Sequence, residues 1–495
     1  MKGMLKILMV FSEVTPFAST GELGNVGGAL PKALKELGHD VRVITPQYRI
    51  INERKYVLRD VIRLHDIDVP LGNEILRINV KSAFLPNSKV QIYFIDYKPF
   101  FFREGLYVDS KSGKDYHDND RRFILFSKGV LETLTKLQWQ PDVIHCNDWQ
   151  SGLIPFFLKT MNKGNPFFNR ISSLFTVHNF TSQGNFNPKC LSYMGVNGNF
   201  IFPGSGIEFQ GHCSFLKAGI VYADAVNVIN NRTISLPLSG KDVRHDMMEV
   251  LKSRREKFYS VSSGIDYSVW NPEADEFIPY KYNIKDISNK EKNKRVLLEK
   301  YHIPFSEQKP LLAVISNISD DDSFHIVKKI FHELMELDIY FILMGERVKT
   351  RHRFFEDIKK KYVGRVGIDS TDDHSLAHLV KAGADMFLGT SKSESCGLNQ
   401  LSSLKYGTVP VVYSNGEEYD SIRTFNSETG KGTGFVFHRF DSKHILKAVK
   451  QAVKMYHDKK TWYKIMRNGM REDFSWSVAS KRYIQLYGKC ISKRK

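Results

Sequence analysis

The chain has 495 residues and a 42 % hydrophobic fraction, which suits a globular protein of two domains of roughly 200 to 250 residues each. Lysine and arginine outnumber aspartate and glutamate by 72 to 54, a formal charge of +18, but the basic residues are scattered among acids and form no nucleic-acid motif, which excludes that partner class. No run of 18 apolar residues offers a membrane span, and the five cysteines at Cys146, Cys190, Cys213, Cys396 and Cys490 form no close pair, against both a disulfide framework and a zinc site.

In chain order, Leu5–Phe11 is too short and too poor in small residues for a signal peptide and reads as the first buried strand. Val41–Thr45, Leu76–Phe84, Val90–Ile95, Val143–Cys146, Leu174–Val177 and Ala225–Val228 follow as strands, alternating with segments of helical period. After Ser262-Ser263-Gly264-Ile265-Asp266 the stretch Pro272–Asn293 is polar, charged and weakly periodic, as a linker is. Strands resume at Leu311–Ile315, Ile339–Met344, Arg365–Ile368, Met386–Leu388 and Val409–Tyr413. Trp476–Tyr487 reads as a last helix with aromatic anchors at Trp476, Tyr483 and Tyr487, and the basic tail Lys489–Lys495 reads as solvated. Such alternation predicts an α/β protein with two successive parallel sheets covered by helices, with ligands at the carboxyl ends of the strands.

Several segments carry more than periodicity. They are Ser12-Glu13, Arg103-Glu104-Gly105-Leu106-Tyr107, Asp115 to Phe123 (DYHDNDRRF), Pro141 to Trp149 (PDVIHCNDW), Val177-His178-Asn179, Lys217 to Asp224 (KAGIVYAD), Gly264-Ile265-Asp266 with Trp270-Asn271-Pro272, and Glu394-Ser395-Cys396-Gly397-Leu398. In this order, over nearly the whole chain, they resemble bacterial glycogen synthases and plant starch synthases, retaining glucosyltransferases that move glucose from ADP-glucose onto an α-1,4-glucan. The resemblance implies the GT-B architecture, two Rossmann-like domains facing a cleft. Residues 1–262 would be the acceptor-side domain, 263–293 a linker, 294–470 the donor-side domain and 471–495 a helix crossing back to the first. No metal or other cofactor is implied, and the expected location is cytoplasmic or another reducing, soluble compartment.

The family's sugar-side residues fall on Glu394, His178 and Asp148. His178 follows a strand directly and reads equally as a sugar contact or as a hydrogen-bonded histidine at the domain's rim. Asp148 reads first as the cap of a helix beginning at Trp149. In the family, a leaving diphosphate is met by cations and glycine turns. Here the lysine position is Ser19, the first glycine pair is Gly21 and Glu22, the second-domain arginine and lysine are Asn317 and Asp322, and the second glycine pair is Gly416 and Glu417. These changes move the site by about six charge units toward negative, and a unit pair at about 4 Å interacts by about 4 kcal/mol at an effective dielectric near 20. A glutamate would also cost conformational energy wherever the turn needs positive φ. The run Asp320-Asp321-Asp322 reads as an N-terminal cap for a helix beginning near Ser323. The weaker reading is a divalent cation held by these aspartates with Glu22 and Glu417.

The expectation is therefore a glycogen synthase-like scaffold whose ADP-glucose site is lost, inactive or very weak, still able to bind an α-1,4-glucan or maltooligosaccharide, with room for a partner synthase. The alternatives are an active synthase using ADP-glucose and a transferase using a different donor.

Overall fold

The computed structural model describes residues 3–180, 182–196, 205–229, 244–315, 321–345, 352–371, 373–390, 397–413 and 422–494. The chain divides into two compact units, Met1–Gly264 with Trp476–Lys495, and Ile265–Ser475.

The first unit is built on a ten-stranded sheet in the order Phe258–Ser260, Ala225–Val228, Ser172–Val177, Val143–Asn147, Lys6–Val10, Asp40–Pro46, Gln91–Asp96, Glu74–Phe84, Arg59–Asp60, with Ile67–Leu71 also paired to Glu74–Phe84. The first seven run parallel and the outer ones antiparallel. The central runs VIHCN and SSLFTV are buried along their whole length, as strands covered on both faces must be. Strand order reverses between Lys6–Val10 and Val143–Asn147, so the loops after these two strands diverge and leave a crevice at their carboxyl ends.

The helix Glu22–Glu36 follows the first of these loops. A Cβ on Gly27 would stand 2.9 Å from the Glu13 carbonyl oxygen and one on Gly28 2.6 Å from that of Thr15. Only glycine lets the helix seat against the loop this closely, which fixes the loop's path below the crevice.

The last helix, Trp476–Arg494, packs on this same sheet. Tyr483 donates to the Val261 carbonyl and accepts from Asn227 Nδ2 at 3.2 Å, and the Tyr487 hydroxyl meets His145 Nδ1 at 2.9 Å. The basic tail is not loose: Lys489 and Lys493 lie over the Tyr259 ring at 4.8 and 5.4 Å.

The second unit has a six-stranded parallel sheet, ordered Val366–Asp369, Tyr340–Met344, Leu311–Ile315, Met386–Leu388, Val409–Tyr413, Phe435–Phe437. Leu312 and Val314 enter one hydrophobic cluster and Leu311 and Ala313 another, the alternation of a strand with helices on both faces. The segment after Ile265 has no long element before the helix Asn289–Lys300. It is pinned to this unit by the Tyr282 hydroxyl on the Tyr406 carbonyl at 2.8 Å and by Asp275.

The α/β reading holds, and each expected strand is present within two residues of its bounds. Cys190 and Cys213 are free, buried thiols. The helix expected near Ser323 begins at Asp321, so Asp321 and Asp322 open its first turn instead of preceding it.

Candidate active site

The crevice of the first unit gathers the loops after Val10, Asn147 and Val177. Asp148 adopts φ 54°, ψ 178°, a conformation that a non-glycine residue holds only when its surroundings impose it. Its amide donates to the Thr176 carbonyl at 3.0 Å, and its carboxylate turns back to accept from the His178 amide at 2.7 Å. It makes no capping bond to the turn Trp149–Ser151. The cap expected from sequence is therefore wrong: the carboxylate ties two loops together. Burial pushes the Asp148 carboxyl up to about 7, against the pull of the His178 and Asn179 amides, and nearby Glu13 pushes further.

His178 is buried, not at a rim, with 6 % of its surface exposed. The orientation of its ring follows from Asn147, whose Nδ2 donates to the Val10 carbonyl at 3.1 Å and to the His145 carbonyl at 3.3 Å. That leaves Asn147 Oδ1 as an acceptor facing His178 Nε2 at 3.0 Å, so Nε2 carries the proton. His178 Nδ1 is then a bare acceptor, buried and unpartnered. Burial holds the His178 imidazole down at about 3 and that of His145 likewise, the latter also through His178, so both are neutral. Of the two open readings of His178, Nε2 answers to the structural one, and Nδ1 remains unpartnered.

The loop before the helix Glu22–Glu36 is held by Glu13, which is 4 % exposed. Its carboxylate accepts from the Thr20 hydroxyl at 2.9 Å, the Thr20 amide, and the Tyr107 hydroxyl at 2.9 Å. Tyr107 is in turn placed by Arg122, which is fully buried and donates to the carbonyls of Phe100 and Leu106 and to Asn119 Oδ1. Ser19 donates to the Gly21 carbonyl at 3.1 Å. Gly21 is extended (φ 176°) and precedes Glu22, the first residue of the helix. Glu22 is not among the residues with positive φ, so the conformational cost anticipated for it does not arise. Its carboxylate lies in the first turn of the helix, at the end that attracts anions.

Glu394, Asn317, Gly416, Glu417 and Asp320 lie outside the described residues, and Asp322 is placed only as a helical residue. Sequence reasoning gave no role to Glu13, Tyr107, Arg122 or Asn147, although all four stand in the segments it singled out. Among the described residues no cluster of His, Cys, Asp or Glu could hold a metal ion, and no helix is long and apolar enough to cross a membrane.

Known proteins resemble this chain over its length. A family model, the starch synthase catalytic domain, matches residues 6–235. The glycogen synthase of Desulforudis audaxviator is 37 % identical over 99 % of this chain and 97 % of its own length, and that of Chlorobaculum parvum is 35 % identical over 97 % and 98 %. Among solved structures, the catalytic domain of starch synthase IV from Arabidopsis thaliana, bound to ADP and acarbose, superposes with a TM-score of 0.85 at 25 % identity, covering 99 % of this chain and 100 % of that one. Fold and site define a glycosyltransferase of the GT-B class. The chain belongs to the glycogen and starch synthase family. The expectation of a chain that has lost activity and ADP-glucose binding finds no support in these relatives, which an active synthase fits at least as well.

Proposed function

We propose that the chain is a working glycogen synthase, transferring glucose with retention from ADP-glucose to the non-reducing end of an α-1,4-glucan. The observation that carries this reading is the full-length identity of 37 % to a glycogen synthase. The Asp148–His178 arrangement is consistent with it. His178 Nδ1 would accept a sugar hydroxyl, and the dry surroundings strengthen every polar contact made there. Asp148, ionised above about pH 7, would favour positive charge developing on the sugar. The leaving diphosphate would assist attack by the glucan 4-hydroxyl from the same face. Incorporation of labelled glucose from ADP-glucose into glycogen tests this; absence of incorporation at every enzyme concentration overturns it.

One observation favours a second reading, a glucan-binding protein with an impaired donor site. Ser19 and Glu22 stand where the family places a lysine and a glycine, so the helix end that would attract diphosphate carries a carboxylate instead. Calorimetric titration separates the two. Micromolar ADP binding removes the second reading, and heat from maltooligosaccharide with none from ADP supports it.

A further inference from the structure

Phe277 and Tyr280 in the second unit expose 50 % and 40 % of their surface. Isolated exposed aromatics are ordinary; these two differ because the backbone beneath them is locked. The Phe277 amide donates to Asp275 Oδ1 at 2.9 Å, and the other oxygen of that buried carboxylate takes Nδ1 of His378 at 2.8 Å and the Tyr406 hydroxyl. The Tyr280 amide and carbonyl are both held by the buried Asn293, at 3.2 and 2.6 Å. The Phe277 ring rests against His378 at 4.9 Å and His374 at 5.7 Å, and Lys292 stands 5.5 Å over the Tyr280 ring. Glu276 and Lys292 are exposed beside them. The chain between the two rings spans at most about 10 Å.

Two fixed aromatic surfaces flanked by a carboxylate and an ammonium match one ligand chemistry closely. A pyranose offers an apolar C–H face to a ring and hydroxyl groups to charged neighbours, and ordering the surface beforehand lowers the cost of binding. We infer that Phe277 and Tyr280 form a surface site that holds a run of an α-1,4-glucan, separate from the Asp148–His178 crevice. The inference rests on the glucan reading above and adds a second point of attachment on the same polymer, which raises effective affinity without new chemistry.

Native affinity electrophoresis through gels containing glycogen tests it, with wild type, Phe277→Ala/Tyr280→Ala, Phe277→Trp/Tyr280→Trp and His178→Ala run side by side and melting temperatures measured for each. The expected result is retardation of wild type, the Trp pair and His178→Ala, with glycogen affinity of the Ala pair reduced at least fivefold at an unchanged melting temperature. Retardation of the Ala pair equal to wild type overturns this site and leaves the family reading untouched. A wild type that glycogen does not retard overturns both this site and the glucan half of the proposed function.

Discussion

Asn147 Oδ1 receives the Nε2 proton of His178 at 3.0 Å, and with the Asn147 amide committed to two carbonyls the histidine has no other tautomer available. The sequence brings these residues together from two strand ends, and the pairing leaves His178 Nδ1 as an acceptor.

His178→Phe keeps the volume and removes that acceptor. The expected loss is roughly 10- to 100-fold in kcat/KM for ADP-glucose, about 1.4 to 2.8 kcal/mol for one hydrogen bond to a buried site. Because the imidazole titrates only at about 3, the wild-type rate profile should show no limb from His178 above pH 5. A profile whose lower limb moves with this substitution would contradict the neutral state of His178.

Acid stability follows from the same groups. The unfolded histidines protonate below about 6.5, whereas folded His145 and His178 stay neutral down to about 3. Their folded pKa is depressed, so the unfolded state binds more protons in that window, and stability falls as pH drops below 6.5. Urea midpoints taken between pH 7 and pH 4 should decline, and His145→Gln should flatten the decline.

Asp148 works in the opposite sense. Its folded pKa of about 7 lies above the unfolded value, so its contribution is present at low pH and fades as pH rises from about 4 to 7. In that window Asp148 offsets part of the histidines' effect, so Asp148→Asn should steepen the decline of stability as pH falls. Equal slopes for the two proteins would mean that Asp148 is ionised throughout.

Charge at the start of the helix Glu22–Glu36 is testable by reversal. Ser19→Lys with Glu22→Gly moves the loop two units toward positive and should tighten ADP at least tenfold, about 1.4 kcal/mol, with the gain shrinking as salt rises. Calorimetry in 50 and 500 mM salt reads both effects. Unchanged ADP affinity would show that the diphosphate contacts lie elsewhere.

In the second unit, Asp275→Asn puts an NH2 donor in one of two acceptor positions, the one shared by His378 and Tyr406 or the one that takes the Phe277 amide. Leaving a buried donor without its acceptor costs about 1 to 3 kcal/mol. Differential scanning calorimetry should show the transition of this unit shifted down by several degrees.

Strands could be read from sequence because they are fully apolar runs bounded by turn residues; KILMV and LLAVI admit little else. The strands at Ile67–Leu71, Phe258–Ser260 and Phe435–Phe437 could not, being short or carrying Pro70, and owing their existence to neighbours distant in the chain. Asp148 was legible as a site residue but not in its role. A cap is a local pattern, while the bond to the His178 amide spans thirty residues and follows from adjacent strands.

The Tyr487–His145 bond joins the two ends of the chain's chronology. Synthesis delivers the first 264 residues and then all of the second unit, at roughly 5–20 residues per second, before the helix Trp476–Arg494 can emerge. Until then His145, Asn227 and the Val261 carbonyl lack the partners that Tyr487 and Tyr483 supply. The first unit to be made is thus the last to be finished, and a nascent chain released before Tyr487 carries an open core that quality control can recognise.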